Sequence, residues 1–272
     1  MLYFVATPIG NLKDESFRAV ETLQNSDLIL CEDTRTSQTF LNCYQIKKPL
    51  ESFHKFNYKQ ATPKVIELLK QGKNISLITD AGMPGISDPG SELVAELVKN
   101  NLQYTVIPGA SAFLTAFCLS GFPAPFTFVG FLPDNKKEKK SLLLSLKTTT
   151  FTTIFYSAPH NLLDDLQTLF QTFGKRDVCI ARELTKLHEE VLFANLSQKY
   201  PKEPRGEYVI VVKGQTEQIC DLNNLSVIDH YQYYTKLGLS NNDAIKQVAK
   251  DMGVAKNVIY NQIVAVKQSN KN

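Results

Sequence analysis

Four times within its first 120 residues the chain repeats one physical unit, in which a short apolar run ends in a tight polar loop before the next element. The runs are Leu2–Ala6, Asp27–Cys31, Asn74–Thr79 and Gln103–Ile107. The loops after them are Thr7-Pro8-Ile9-Gly10-Asn11, Glu32-Asp33-Thr34-Arg35, the long stretch Asp80–Gly90, and Pro108-Gly109-Ala110-Ser111-Ala112. Helical spacing follows several of them. Phe17, Val20 and Leu23 recur in three-residue steps and are expected on one buried face. Leu93, Val94, Leu97 and Val98 repeat the pattern. Strands alternating with helices predict a mostly parallel sheet, because each crossover returns the chain to the same edge. Loops after the strands then gather at one rim, and ligands bind there. Four loops rich in Gly, Pro, Asp and Ser therefore predict one cleft.

The 272 residues suffice for about two domains at ~150 residues each. A Gly121-Phe122-Pro123-Ala124-Pro125 cluster marks the boundary. Beyond it, strand-like segments at Phe126–Leu132, Thr149–Tyr156, Val178–Lys186 and Tyr208–Lys213 outnumber the helices near Lys136–Lys147 and Asn161–Phe173. The expected organisation is α/β: a mostly parallel N-terminal domain (1–120), a mixed α+β domain completing the cleft (121–218), and a small C-terminal helical segment (226–268). In that last segment Gly238-Leu239-Ser240 leads into a helix and Met252-Gly253-Val254 into another, the pattern of helix, tight turn, helix.

Composition narrows the class. Hydrophobic residues at 43% and charged residues at 21% are globular values. A net charge of +3 is too small to indicate a nucleic acid by itself, so such contacts must come from local patches. The cysteines at 31, 43, 118, 179 and 220 form no CxxC pair, which argues for reduced thiols and against a compact zinc site. The N-terminus lacks a basic and apolar leader, and no run approaches the ~20 apolar residues that span a bilayer. A soluble cytoplasmic protein without membrane association is expected.

Chemistry concentrates in a few stretches. Three glycines and two prolines among the twelve residues Thr79–Gly90 let a ligand approach the main chain. The glycines fall at 82, 85 and 90, which fits neither GxGxxG nor a phosphate loop, so ATP and dinucleotide chemistry are disfavoured. Glu32-Asp33-Thr34-Arg35 sets two acids beside a cation at a strand end, for a polar ligand or for a surface ion pair. If Arg182–Lys186 is extended, Arg182, Leu184 and Lys186 share a face. A lysine in a partly dry cleft can have its pKa lowered enough to act as a base. Lys136, Lys137, Lys139 and Lys140 could track a phosphate backbone or form a solvated face. His188-Glu189-Glu190 lacks the spacing of a metal motif, and no metal is read.

Taken together, Val5–Leu12, Cys31–Arg35, Thr79–Gly90, Ile107–Ala112, Ser120–Pro123, Gly130–Pro133 and Arg182–Lys186 resemble the bacterial 16S ribosomal RNA cytidine 2′-O-methyltransferases of the tetrapyrrole methylase superfamily. The likeness runs in the same motif order from about Leu2 to Lys267. It implies S-adenosylmethionine as methyl donor, held between two α/β domains. It also implies the ribose 2′-hydroxyl of a decoding-centre cytidine of 16S rRNA in the small subunit as acceptor, and a homodimer. Carried over by position, the donor site comprises Pro8, Asp80, Ala81, Gly82, Ile86, Ser87, Asp88, Ser111 and Ala112, with Phe155 and Tyr156 from the second domain. Candidates for taking the hydroxyl proton are Lys186 oriented by Glu183, and Asp33 beside Glu32. Arg35, Arg182 and the lysine run would hold RNA phosphates. One departure is visible: Ser157-Ala158-Pro159-His160-Asn161 stands where such enzymes read Glu-Ser-Pro-His-Arg. Two other readings remain open, a methylase for a tetrapyrrole-type small molecule and a DNA regulator using the C-terminal helices.

Overall fold

The computed structural model describes residues 1–88, 90–215 and 225–269, with side chains described to residue 266; Pro89 and Cys220 lie outside the described residues. Two compact units divide the chain, Met1–Gly214 and Gln215–Asn272.

The first unit holds two five-stranded sheets. In chain order the first contains β1 (Leu2–Val5), β2 (Leu28–Cys31), β3 (Leu50–Ser52), β4 (Ile75–Leu77) and β5 (Tyr104–Ile107), arranged β3-β2-β4-β1-β5. Every pairing is parallel. Parallel sheets need cover on both faces, and the side-chain alternation of β1 supplies it. Leu2 and Phe4 join one core with Val65 and Leu69 of α3 (Tyr58–Lys70) and Leu93 and Leu97 of α4 (Gly90–Lys99). Val5 joins the opposite core with Ala19 and Leu23 of α1 (Phe17–Gln24) and Leu41 of α2 (Thr34–Cys43).

α1 corrects one expectation. A 3-10 turn over Leu12–Asp14 precedes it, and Ser16 caps it by accepting from the Ala19 amide at 3.1 Å. Leu23 is buried and Val20 half-buried, but Phe17 is 97% exposed. At 3.6 residues per turn, two three-residue steps sweep the side chain about 120° around the axis, so Phe17 leaves the face that Ala19 and Leu23 share. Val98 of α4 is exposed for a similar reason, while Leu93 and Leu97 are buried.

After α5 (Ala112–Ser120) come β6 (Phe126–Phe131), α6 (Lys136–Ser145), β7 (Thr152–Ser157), α7 (Leu162–Phe173), β8 (Asp177–Arg182), β9 (Glu190–Asn195) and β10 (Tyr208–Val212). They build the second sheet, ordered β6-β7-β10-β8-β9, with β6 and β7 parallel and the remaining pairs antiparallel. One face carries Phe155, Ile180 and Ile210 against Leu143 of α6 and Leu166, Leu169 and Phe173 of α7. The other carries Ile154, Ala181, Val209 and Val211 against Ile9 and Ala116. α5 is apolar almost all round, yet only one side is covered, and Leu114, Cys118 and Leu119 are exposed. It packs on the second sheet directly after the last rim loop of the first, and so brings that rim to a strand face.

The second unit is helical: α8 (Val227–Lys236), α9 (Asn241–Asp251) and α10 (Lys256–Ser269). Tyr231, Ile245, Val248, Ile259 and Ile263 form its core.

Candidate active site

The rim of the first sheet is fixed by main-chain hydrogen bonds. Thr7 and Gly82 exchange both amide–carbonyl bonds, at 2.9 and 3.1 Å, and the Thr7 hydroxyl donates to the Thr79 carbonyl at 3.1 Å. Gly82 has φ +83°, a left-handed conformation that a side chain would strain. The Asp88 carboxylate accepts from the Gly85 amide at 2.7 Å and the Gly90 amide at 2.8 Å, which folds the glycine loop around one acid. A second link runs from the β1 loop to the second sheet. The Asn11 amide donates to Thr185 Oγ1 at 3.0 Å, and a Cβ at Gly10 would lie 2.8 Å from that oxygen.

Between these loops and the face of the second sheet lies a cavity of about 560 Å³. Glu32, Asp80, Ala81, Gly82, Ile86, Ser87, Asp88, Ser111, Ala112 and Tyr156 line it, so the fold brings together ten of the residues singled out in the sequence. A second cavity of about 350 Å³ adjoins it, lined by Pro8 and Lys186 among others. Ile9, Thr79, Asp80, Ala81 and Glu207 line both.

Several expectations need correction. Phe155 lines neither cavity. It is fully buried on the opposite face of β7, because successive strand residues alternate in direction. The segment Arg182–Lys186 is not extended: β8 ends at Arg182, Glu183 and Thr185 have φ +50° and +65°, and the Lys186 amide donates back to the Glu183 carbonyl at 3.0 Å. Lys186 is not a lysine with a lowered pKa. Burial opposes its charge, but hydrogen bonds to Glu207 at 2.8 Å and Glu183 at 3.0 Å outweigh that and hold the ammonium above the ordinary range. Asp33 caps α2, accepting from the Arg35 amide at 2.7 Å, and lines neither cavity. Lys139 is no exposed phosphate ligand. Its ammonium lies 3.1 Å from both Asp164 and Asp165 and is 13% exposed. Asp165 in turn accepts from the Ser157 hydroxyl at 2.7 Å, so Lys139 ties α6 to the cavity wall that Ser157, Ala158 and Pro159 form.

Other groups stand apart from the cavities. Lys136, Lys137 and Lys140 are exposed on α6, and Arg35 is exposed on α2. Arg182 is spent locally, its Nε donating to the Arg205 carbonyl at 2.7 Å and its guanidinium 3.6 Å from Glu190. Glu183 accepts from the Glu207 amide at 3.0 Å and is a brace for Lys186. Sequence reasoning missed Phe131, Leu184, Val209 and Glu207 in the walls. Strand alternation through Tyr208–Val212 could have placed Val209 on the face shared with Ile154. No pattern marks Glu207.

The electrostatics of the first cavity are one-sided. Burial raises the pKa of Glu32, and the nearby Asp80 and Asp88 raise it further. Burial likewise raises Asp80 and Asp88, despite the amides each accepts from. Among the described residues none of the three carboxylates has a salt-bridge partner. Desolvated acids of this kind favour a ligand that carries positive charge.

Residues 1–199 match the family described as Tetrapyrrole (Corrin/Porphyrin) Methylases. The chain is 43% identical over 269 residues to the ribosomal RNA small subunit methyltransferase I of Halalkalibacterium halodurans, covering 96% of this chain and 93% of that one. It is 44% identical over 219 residues to the protein of the same name from Thermotoga maritima, covering 79% and 98%. Among solved structures, the methyltransferase CobJ superposes with a TM-score of 0.61 at 16% identity over 79% of this chain and 94% of that one. Diphthine synthase does so with a TM-score of 0.61 at 16% identity over 79% and 90%. At such identity these two speak for the fold alone.

Proposed function

The chain belongs to the tetrapyrrole methylase family, and from that premise we propose that it is an S-adenosylmethionine-dependent methyltransferase of ribosomal RNA, acting on the ribose 2′-hydroxyl of a decoding-centre cytidine of 16S rRNA in the small subunit. The reading includes a homodimer, as the family resemblance implies, and a cytoplasmic location. The observation that carries it is the first cavity, where a main-chain-lined glycine loop and three acids without cations face one space.

The residues present fit this donor. Its sulfonium and ammonium groups suit Glu32, Asp80 and Asp88, and a cavity of about 560 Å³ lies within the usual range of ~300–1,000 Å³ for small-molecule sites. Ala81, Gly82, Ser111 and Ala112 line the cavity from the loops, and Tyr156 and Ile86 give apolar walls. Bound there, the donor would supply an activated methyl carbon, and its transfer leaves a neutral thioether. The protein's task is then alignment and disposal of one proton. Alignment is the office of the paired Thr7–Gly82 bonds and the Asp88 fold, because rigid loops convert binding into correct geometry. Lys186 is held as a cation, so it does not take the proton. The phosphate ligands proposed are the exposed cations Arg35, Lys136, Lys137 and Lys140.

Calorimetry with adenosylmethionine and transfer of labelled methyl to small subunits from a strain lacking this gene test the reading. Donor uptake and about one methyl per subunit, located at a cytidine ribose, are expected. Absence of donor uptake, or transfer to a porphyrinogen in place of the subunit, would overturn it.

A further inference from the structure

We infer that the second cavity is the pocket for a single ribonucleotide extruded from the folded RNA, with Glu207 at the junction receiving the hydrogen bond of its 2′-hydroxyl. The inference rests on the function proposed above and names the acceptor half of that site.

Three observations lead there. The first is adjacency. The two cavities share a wall that includes Asp80, Ala81 and Glu207, and reacting atoms must come within ~3–3.5 Å of each other. A group seated in the second cavity at these shared residues lies beside the donor's cavity. The second is size. About 350 Å³ is the low end of small-ligand pockets and leaves room for one nucleoside. Enzymes that modify one nucleotide of a folded nucleic acid extrude it into such a pocket.

The third is the apolar lining. Pro8 and Phe40 supply the apolar surfaces against which a base can lie.

Glu207 lines both cavities, and its side chain is 74% exposed. One carboxylate oxygen accepts from Lys186 at 2.8 Å, which leaves the other for the hydroxyl. As the ribose oxygen takes the methyl carbon, the sulfur–carbon bond breaks and its electron pair stays on sulfur. The hydroxyl proton passes to Glu207 and then to solvent. Lys186, braced by Glu183, keeps the accepting carboxylate in place.

A block at the cavity tests this. Thr36 is exposed on α2 and lines the second cavity only, so Thr36→Trp can fill it without entering the core. Thr39, exposed on the same helix and lining neither cavity, gives the control Thr39→Trp. Thr36→Trp is expected to bind adenosylmethionine within about twofold of the parent and to lose about tenfold or more in methyl transfer to small subunits. Anisotropy with a labelled single-stranded RNA hexamer centred on cytidine should show the same loss of affinity, and Thr39→Trp should show neither. Glu207→Gln keeps the Lys186 contact and should leave both affinities intact while kcat falls about a hundredfold. Parent-like transfer by Thr36→Trp overturns the pocket, and parent-like kcat in Glu207→Gln overturns the role of Glu207. Either leaves the donor reading standing, whereas a parent enzyme that takes up no donor defeats that reading first.

Discussion

The two sheets meet at the site but contribute by opposite means. The first offers loop backbone and acids that burial pushes toward protonation: Glu32, Asp80 and Asp88, none ion-paired among the described residues. The second offers strand-face side chains and acids that cations have claimed. Lys202 and Arg182 hold Glu190 below the usual carboxylate range. Burial raises Glu183, but Lys186 and the Glu207 amide bring it lower still. One rim therefore holds negative charge in reserve, and the other has spent its charge on geometry. A site for a cationic donor needs both, because the acids attract the ligand only where the walls do not rearrange to neutralise them.

Adjacent residues of β7 provide the sharpest way to break this contrast. Phe155→Ala should cost about 3–5 kcal/mol of stability by emptying the core against α7, with the folded fraction binding donor as before. Tyr156→Ala should cost far less stability and weaken donor binding about tenfold. Chemical denaturation beside calorimetry separates the two. Phe155→Leu keeps most of the volume, and a tenfold loss of donor affinity in that variant would show that the strand faces are not distinct. Next in size is Asp88→Ala. It strips the partner from two loop amides, and about 1–3 kcal/mol of local stability should go with them. Donor affinity should fall more than stability does, because the loop forms the cavity wall. Equal donor affinity in that variant would remove the glycine loop from the binding account.

Legibility in the sequence follows the same division. Loop backbone announces itself through composition, as glycine and proline between an apolar run and a helix mark a tight rim loop, and the family resemblance singled out Ala81, Gly82 and Ser87 within it, all three of which line the first cavity. Strand faces are readable only to within one residue, and naming both Phe155 and Tyr156 shows that limit. Lys139 and Lys186 were misread for one reason. Sequence shows a cation but not the acids that tertiary folding sets beside it, from α7 in one case and from the turn before β10 in the other. In the β2–β4 connection α2 and β3 carried no strong signal, whereas α3 went unnamed although its Val65, Ile66 and Leu69 share one buried face. α2 is short and polar, and β3 is three residues long at the sheet edge. Glu207 escaped altogether, because nothing in a Gly-Glu-Tyr run tells which way the acid turns.

The smallest effect compares a buried acid outside the two cavities with an ion-paired one. Glu15, on the turn between the β1 loop and α1, has its pKa raised by burial to about 7, and one of its oxygens is buried without a partner. Between the ordinary glutamate value of 4.5 and about 7 the folded chain keeps the proton that the unfolded chain has lost. Folding then takes up a proton, so stability falls as pH rises through that window and levels above it. The full displacement would amount to about 3 kcal/mol, but Glu15 is only partly shielded from water, and screening leaves ~1 kcal/mol. Glu15→Gln should match the parent near pH 4 and exceed it by about that much at pH 8 in thermal denaturation. Glu183 has the opposite sign: its lowered pKa adds stability above the ordinary glutamate range that is lost as pH falls through the folded value. Glu183→Gln should therefore be less stable than the parent at neutral pH and converge with it in acid. Parallel curves for both variants would mean that burial at Glu15 and ion pairing at Glu183 do not move the two acids in opposite directions.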